Sequence, residues 1–181
     1  MPTRRPLLLA ALLALPVFLS PTGAFSSSRA DATRPPSVDE ILIDKSDHRL
    51  ELRARGSEVK TYRVAIGSGG SGPKRMEGDK VTPVGTYRVT GHIKGLFHQF
   101  LSVSYPNDED RARYAELKRR GKIPRGHGIG SDIGIHGTGH ADWNGVHKEH
   151  DWTFGCVALD DDEIDEIARL VKDGTRIVIS D

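Results

Sequence analysis

Cysteine is all but missing from this chain. Cys156 is the only one in 181 residues, so no disulfide can close within the chain and no multi-cysteine metal or iron–sulfur site can be assembled. An excess of one charge is missing too: 26 basic residues stand against 25 acidic ones, which removes the electrostatic footprint of a nucleic-acid binder. There is no internal repeat and no low-complexity tract. The one long apolar run, Leu7 to Leu19 interrupted by Pro16, is shorter than the roughly 20 residues a membrane-spanning helix needs.

What is there begins with an export pattern. Arg4 and Arg5 precede the apolar run, and Ser28-Arg29-Ala30 and Ala30-Asp31-Ala32 place small residues where a signal peptidase cuts. Residues 1–32 therefore read as a signal peptide, or as an N-terminal anchor if left uncut, and point to the periplasm or cell envelope. Thr3-Arg4-Arg5 also fits a twin-arginine route loosely, so the route stays open. Residues 33–39, with Pro35-Pro36, form a linker. Residues 40–181 are long enough for one domain with its own core.

Strand signals dominate that domain. Ile41-Leu42-Ile43 and Leu50-Glu51-Leu52 flank a polar turn, and Val59 to Ile66 adds a third strand to the meander. The glycines of Gly67 to Gly72 read as a surface loop; no Gly-Lys-Ser/Thr follows to make them a phosphate cradle. Further strands are expected at Thr86 to Thr90, Phe100 to Tyr105 and Asp132 to His136. Asp108 to Arg120 is patterned as a surface helix with Tyr114 and Leu117 as its thin apolar stripe. A packed helix follows Asp160 or Asp161, carries Ile164, Ile167, Ala168 and Val171 at helical spacing, and stops at Gly174 before a last strand, Arg176 to Ser180. The fold class is mainly β, with a packed C-terminal helix and a second helix on the surface.

A lone exported thiol is either a buried small residue or a nucleophile. As a nucleophile it needs a base or a positive field, because an unperturbed thiol is only slightly ionised near neutral pH. His136, at the end of its expected strand, is the candidate base; a hydrogen-bonded turn histidine is the bland alternative. Gly155 permits a tight turn, so the amides around Gly155 and Cys156 can face the oxygen of a tetrahedral intermediate. A competing reading takes His136, His140, His147, His150 and Cys156 as a zinc site, although Gly137 and Gly139 prevent one helix from presenting the first two together.

Four segments in order bear on the choice: Thr82-Pro83-Val84-Gly85-Thr86-Tyr87, Ile135-His136-Gly137-Thr138, Asp151-Trp152-Thr153-Phe154-Gly155-Cys156-Val157-Ala158-Leu159, and Gly174-Thr175-Arg176-Ile177-Val178-Ile179. Together with the opening strands they resemble the L,D-transpeptidase (YkuD-like) catalytic domain, in its ErfK/YafK-type branch. The resemblance implies that family's β-rich fold and a cysteine acyltransferase acting on peptidoglycan stem peptides, with no cofactor. By position it makes Cys156 the nucleophile, His136 the general base and the Gly137 carbonyl the group that orients it. Thr153 and Gly155 match the family's Ser/Thr-His-Gly-Cys signature, whereas its histidine is Phe154 here and the arginine two residues past the nucleophile is Ala158. It implies a Cys156 thioester at the diamino-acid carbonyl, resolved by an amine (cross-linking, or attachment of a protein) or by water. A wall-attached protein is thus a further partner, and the domain is expected to act as a monomer.

Around this centre, His140, His147 and His150 are expected to line the loop over the site. Trp152 and Trp143 form its apolar wall or else pack in the core. Lys74, Arg75 and Lys80 meet stem-peptide carboxylates or else belong to a solvated loop. A non-catalytic wall-binding module is the third reading, disfavoured by the intact His136 and Cys156.

Overall fold

The computed structural model describes residues 37–181. The export-signal reading of residues 1–32 lies outside them. Among the described residues no helix is long and apolar enough to cross a membrane.

Alternating apolar residues build strands β1 (Glu40–Asp44), β2 (Arg49–Ala54) and β3 (Ser57–Arg63), the expected meander. Then come β4 (Gly85–Gly95), β5 (His98–Val103), helix α1 (Asp108–Arg119), β6 (Gly134–His136), β7 (Val157–Ala158), helix α2 (Asp161–Leu170) and β8 (Arg176–Ser180). The strands form one sheet in the order β3-β2-β1-β8-β4-β5-β6-β7. Its hinge is β4. Residues Gly85 to Arg88 pair with β8, and beyond a register shift between Val89 and Gly91 the same strand pairs with β5. Such a bulge bends a strand and increases its twist, so the sheet curls. The chain leaving β3 reaches the far edge, where Ala65 and Ala158 exchange hydrogen bonds of 3.0 and 2.8 Å and Gly67 bridges Thr153. That contact covers the open edge of β7 and carries the chain past Cys156.

The core lies where α2 packs against the sheet. Ile41, Ile43, Leu50, Leu52, Leu101, Ile135, Ile177 and Ile179 are buried together with Ile164 and Ile167 of α2, each worth about 1.5–3 kcal/mol of apolar burial. Asp160 caps α2, its N–H held at 3.0 Å by the Glu163 carboxylate. Helix α1 lies on the surface, as expected, and Asp110 is its one buried residue. That carboxylate accepts from the Asn107 N–H, from Tyr87 Oη at 2.9 Å and from Arg113 at 2.8 Å, pinning the helix to β4.

Three expectations move. The third strand stops at Arg63 rather than Ile66, because the chain there leaves β2 for the opposite edge. Asp132 adopts φ +59°, so the strand ending at His136 starts only at Gly134. Strand β4 runs five residues past Thr90; residues 92–98 are exposed and carry no inward-facing apolar alternation to betray a strand. The Gly67 to Gly72 loop is also less free than its composition suggests. A Cβ on Gly67 would lie 2.1 Å from the Lys80 carbonyl oxygen, so glycine is required for that approach.

Asp110→Ala removes half of a capping box and leaves the buried Tyr87 hydroxyl only the longer bond to the Val84 carbonyl at 3.2 Å. Unfolding free energy measured in urea is expected to fall by about 2–3 kcal/mol.

Candidate active site

The parallel pairing of β6 with β7 sets the frame. Ile135 faces Val157 and His136 faces Ala158 in register; Ile135 and Val157 point into the core. Strand alternation puts the next positions on the other face. Continuing the register by one places Cys156 level with Gly134, two steps from His136 on that same face, at roughly 8 Å between Cα atoms from strand spacing and rise. The pairing thus sets Cys156 and His136 on one face of neighbouring strands.

His136 is buried, and its Nδ1 lies 2.6 Å from the Gly137 carbonyl oxygen. A carbonyl only accepts, so Nδ1 carries the proton and Nε2 keeps the lone pair. Aromatic rings enclose the imidazole: Phe97 at 4.5 Å between centroids, Phe100 stacked at 5.8 Å and Trp152 edge-on at 5.9 Å. Burial holds its pKa below the ordinary histidine value, against the pull of the Gly137 bond. The Gly137 carbonyl is in turn fixed from α2. Asp161 Oδ1 accepts the N–H groups of Thr138 at 2.7 Å and Gly139 at 3.0 Å, and would sit 2.4 Å from any Cβ at position 137.

Cys156 is half-buried. Its Sγ lies 3.5 Å from the Asp132 carbonyl oxygen. Burial pushes the thiol pKa up, offset in part by the Gly134 amide and the charge of Lys74. The turn before it is built on Thr153, whose buried hydroxyl donates to the Cys156 carbonyl at 2.7 Å and accepts the Gly155 N–H at 3.2 Å. This corrects the expectation for Gly155: its amide closes the turn and is not offered to an oxyanion. Gly155 is required for another reason, with φ +124° and a would-be Cβ 2.9 Å from the Val81 carbonyl oxygen. The Cys156 N–H has no backbone acceptor among the described residues. Thr82, first residue of the Thr-Pro-x-Gly turn, accepts the Gly67 N–H at 2.8 Å and lies 3.5 Å from the Cys156 carbonyl oxygen. Asp151 anchors the segment's start, accepting from the Ile66 N–H at 3.0 Å.

Trp152 forms a wall of the site, touching the His136 and Trp143 rings edge-on. Its Nε1 donates to His147 Nδ1 at 3.3 Å, which leaves His147 Nε2 as the donor to Asp160 at 3.0 Å. His140 is exposed and stacks loosely on Trp143 at 5.3 Å. Lys74 is buried and paired with Asp79 at 2.6 Å, so the solvated-loop reading does not apply to it. Arg75 is exposed, and its amide is held by Asp79 at 2.7 Å. Phe154, in place of the signature histidine, points outward with the Lys80 ammonium 4.8 Å above its ring. The zinc alternative finds no ligand set. No three metal-binding side chains converge among the described residues, and both His147 nitrogens are committed.

The comparisons with known proteins decide the family. A family model described as the L,D-transpeptidase catalytic domain, YkuD, matches residues 39–179. The chain belongs to the L,D-transpeptidase catalytic-domain family. It is 28% identical over 138 residues to the putative L,D-transpeptidase YafK of Escherichia coli K12, covering 72% of this chain and 46% of that protein. Its fold is similar to that of the helical cell shape determining protein Pgp2 from Campylobacter jejuni, with TM-score 0.59, 22% identity and 80% and 48% of the two chains covered. Bdellovibrio bacteriovorus Bd1075 gives TM-score 0.55, 25% identity, and 81% and 48% coverage. The chain spans about half the length of these relatives.

The residues around His136 that the sequence does not mark are Phe97, Phe100 and Asp161, none of which lies in the four quoted segments; nor does the sequence show that Trp152, His147 and Asp160 are joined by hydrogen bonds. Phe97 arrives on the tip of the β4–β5 hairpin, whose outer half carries no strand signal.

His136 and His147 both have pKa values lowered by burial. In the unfolded chain each takes a proton at about 6.5, whereas the folded state resists it, so the unfolded state binds more protons between the two values. Their stabilisation is complete above pH 6.5 and is lost as pH falls through the folded values. The urea midpoint is expected to drop on acidification below pH 6.5; a midpoint that rises there contradicts the buried neutral state.

Proposed function

We propose that this is an exported peptidoglycan acyltransferase that forms a Cys156 thioester and resolves it mainly with water. The observation that carries the reading is the His136 Nδ1–Gly137 bond, which leaves Nε2 as a neutral base on the face that Cys156 shares. Thiol and imidazole both rest uncharged, since burial raises one pKa and lowers the other. Proton transfer then accompanies attack rather than preceding it. Cys156 Sγ bonds to the carbonyl carbon of the stem peptide's diamino-acid residue as Nε2 takes the thiol proton. The bond to the terminal D-alanine nitrogen breaks, and Nε2 returns the proton to that leaving amine. Water or an amine next attacks the thioester, Nε2 accepts its proton, and sulfur departs as the thiol. The Cys156 N–H, lacking a backbone acceptor, is the amide we assign to the developing oxyanion.

The preference for water rests on Ala158. It is fully buried opposite Ala65 and His136, where it offers no charge to an acceptor strand. The basic groups held near the start of α2, His147 and Lys148, are committed to Asp160 and Glu163. A transpeptidase needs binding contacts for a second stem peptide and shelter for the thioester. The substrate, the monomeric state and the periplasmic or envelope location are part of this proposal.

Cys156→Ala is expected to abolish turnover of a tetrapeptide muropeptide with an unchanged unfolding midpoint, and His136→Ala to reduce it roughly a hundredfold or more. Product formation by the Cys156→Ala protein at the wild-type rate would rule out the thioester. Mass analysis of the products is expected to show trimmed monomers with cross-linked dimers as a minor fraction. Dimers as the main product would show that Ala158 does not limit the acceptor.

A further inference from the structure

Charge is segregated in this domain although its total is balanced. Residues 111–125 hold seven basic side chains and one acidic, Glu116, whereas the remaining described residues hold fifteen basic and twenty-three acidic. The segregation has a structural basis. Gly121, at φ +69°, ends α1 in a Schellman turn in which the Gly121 and Lys122 N–H groups donate to the Lys118 and Leu117 carbonyls at 3.0 and 2.9 Å. The turn folds Lys122 back beside Lys118, Arg119 and Arg120. Glu116 engages Arg119 and Arg120, and Asp110 engages Arg113. Arg111, Lys118, Lys122 and Arg125 are exposed and have no carboxylate partner among the described residues.

Packing does not call for this arrangement, because Asp110 is the one buried residue of α1. The helix dipole accounts for a cation or two in the last turn. It does not account for Arg111 or Arg125, and crowded like charges oppose one another. Solubility is equally well served by mixed signs.

Position relative to the thiol gives the cluster its meaning. The segment following Lys122 is pinned on both sides: Tyr114 Oη donates to the His127 carbonyl at 2.8 Å, Tyr105 Oη to Ile129 at 2.9 Å, and the Glu77 N–H to Gly128 at 2.8 Å. It ends at Asp132, whose carbonyl meets Cys156 Sγ. Asp132 follows Arg125 by seven steps along the chain, a reach of at most about 24 Å. Arg125 is thereby tied within that reach of the thiol, and the exposed Arg75 and Lys80 lie on the neighbouring segment that the Glu77 amide joins to this one. On the His136 side, residues 160–166 hold six acidic residues and no basic one.

We infer that the basic end of α1, with Lys118, Lys122 and Arg125, is a docking surface for the polymeric peptidoglycan wall, whose free stem-peptide carboxylates it meets outside the catalytic cleft. The inference rests on the proposed function for the identity of the polymer; the charge complementarity is its own. Docking on the polymer raises the local concentration of stem peptides without altering the chemistry at Cys156.

The test compares the full chain with a variant carrying Lys118→Ala, Lys122→Ala and Arg125→Ala, three exposed positions away from the groups around Cys156. Co-sedimentation with isolated wall sacculi is measured as salt is added, beside turnover of a soluble tetrapeptide muropeptide and binding to vesicles of anionic phospholipid. The wild-type protein is expected to be retained on sacculi and released by salt. The variant is expected to be retained roughly tenfold less well, with soluble turnover within about twofold of wild type because the thiol and its base are untouched. Equal retention of both proteins overturns the inference. So does a variant that loses vesicle binding and keeps wall binding, which would assign the surface to a membrane. If neither protein turns over the muropeptide while the variant alone loses the wall, the proposed function fails and the docking surface stands.

Discussion

The hydrogen bond from His136 Nδ1 to the carbonyl of the next residue is the constraint on which the site depends. A backbone acceptor cannot take the proton, so the bond fixes the tautomer as well as the ring plane. It requires a carbonyl directed back at its own neighbour, and that direction is imposed from outside the strand. Asp161, in the first turn of α2, gathers the amides of Thr138 and Gly139. It also leaves no room for a side chain at Gly137. The packed helix thereby shapes the His136 loop as well as the core. Its Ile164 and Ile167 hold it against the sheet, and its acidic first turn shapes the histidine loop.

On the sulfur side, Thr153 has the corresponding role. Its hydroxyl closes the turn that presents Cys156, and the turn can close only because Gly155 accepts a positive φ under the Val81 carbonyl. Thr82 and Asp151 tie that turn to the chain leaving β3, across the contact that curls the sheet. The proposed nucleophile and base thus belong to neighbouring strands held by separate supports. Burial pushes the thiol pKa up and the imidazole pKa down, which favours the neutral form of each.

Much of this was legible in the sequence because the physics is local. Alternation marked β1, β2 and β8, helical spacing marked α2, and the Thr-x-Gly-Cys and His-Gly-Thr segments marked the candidate pair Cys156 and His136. The illegible parts depend on tertiary placement. The outer half of β4 looks like a polar loop because it is exposed, yet it delivers Phe97 to the imidazole. Lys74 reads as a loop cation, and only the fold shows that Asp79 and burial have taken it out of solvent. Gly155 reads as a turn glycine with a free amide, and only the fold shows that Thr153 Oγ1 lies within reach of that amide. His147 gave no local sign that it would sit between Trp152 and Asp160.

The central claim is a neutral His136 with its proton on Nδ1. The direct measurement is the nitrogen NMR spectrum of the His136 ring, assigned by its loss in His136→Ala and followed through a pH titration. The account predicts a protonated Nδ1 and an unprotonated Nε2 at neutral pH, with titration below pH 6.5. A proton on Nε2, or an imidazolium at neutral pH paired with a Cys156 thiolate, would contradict it.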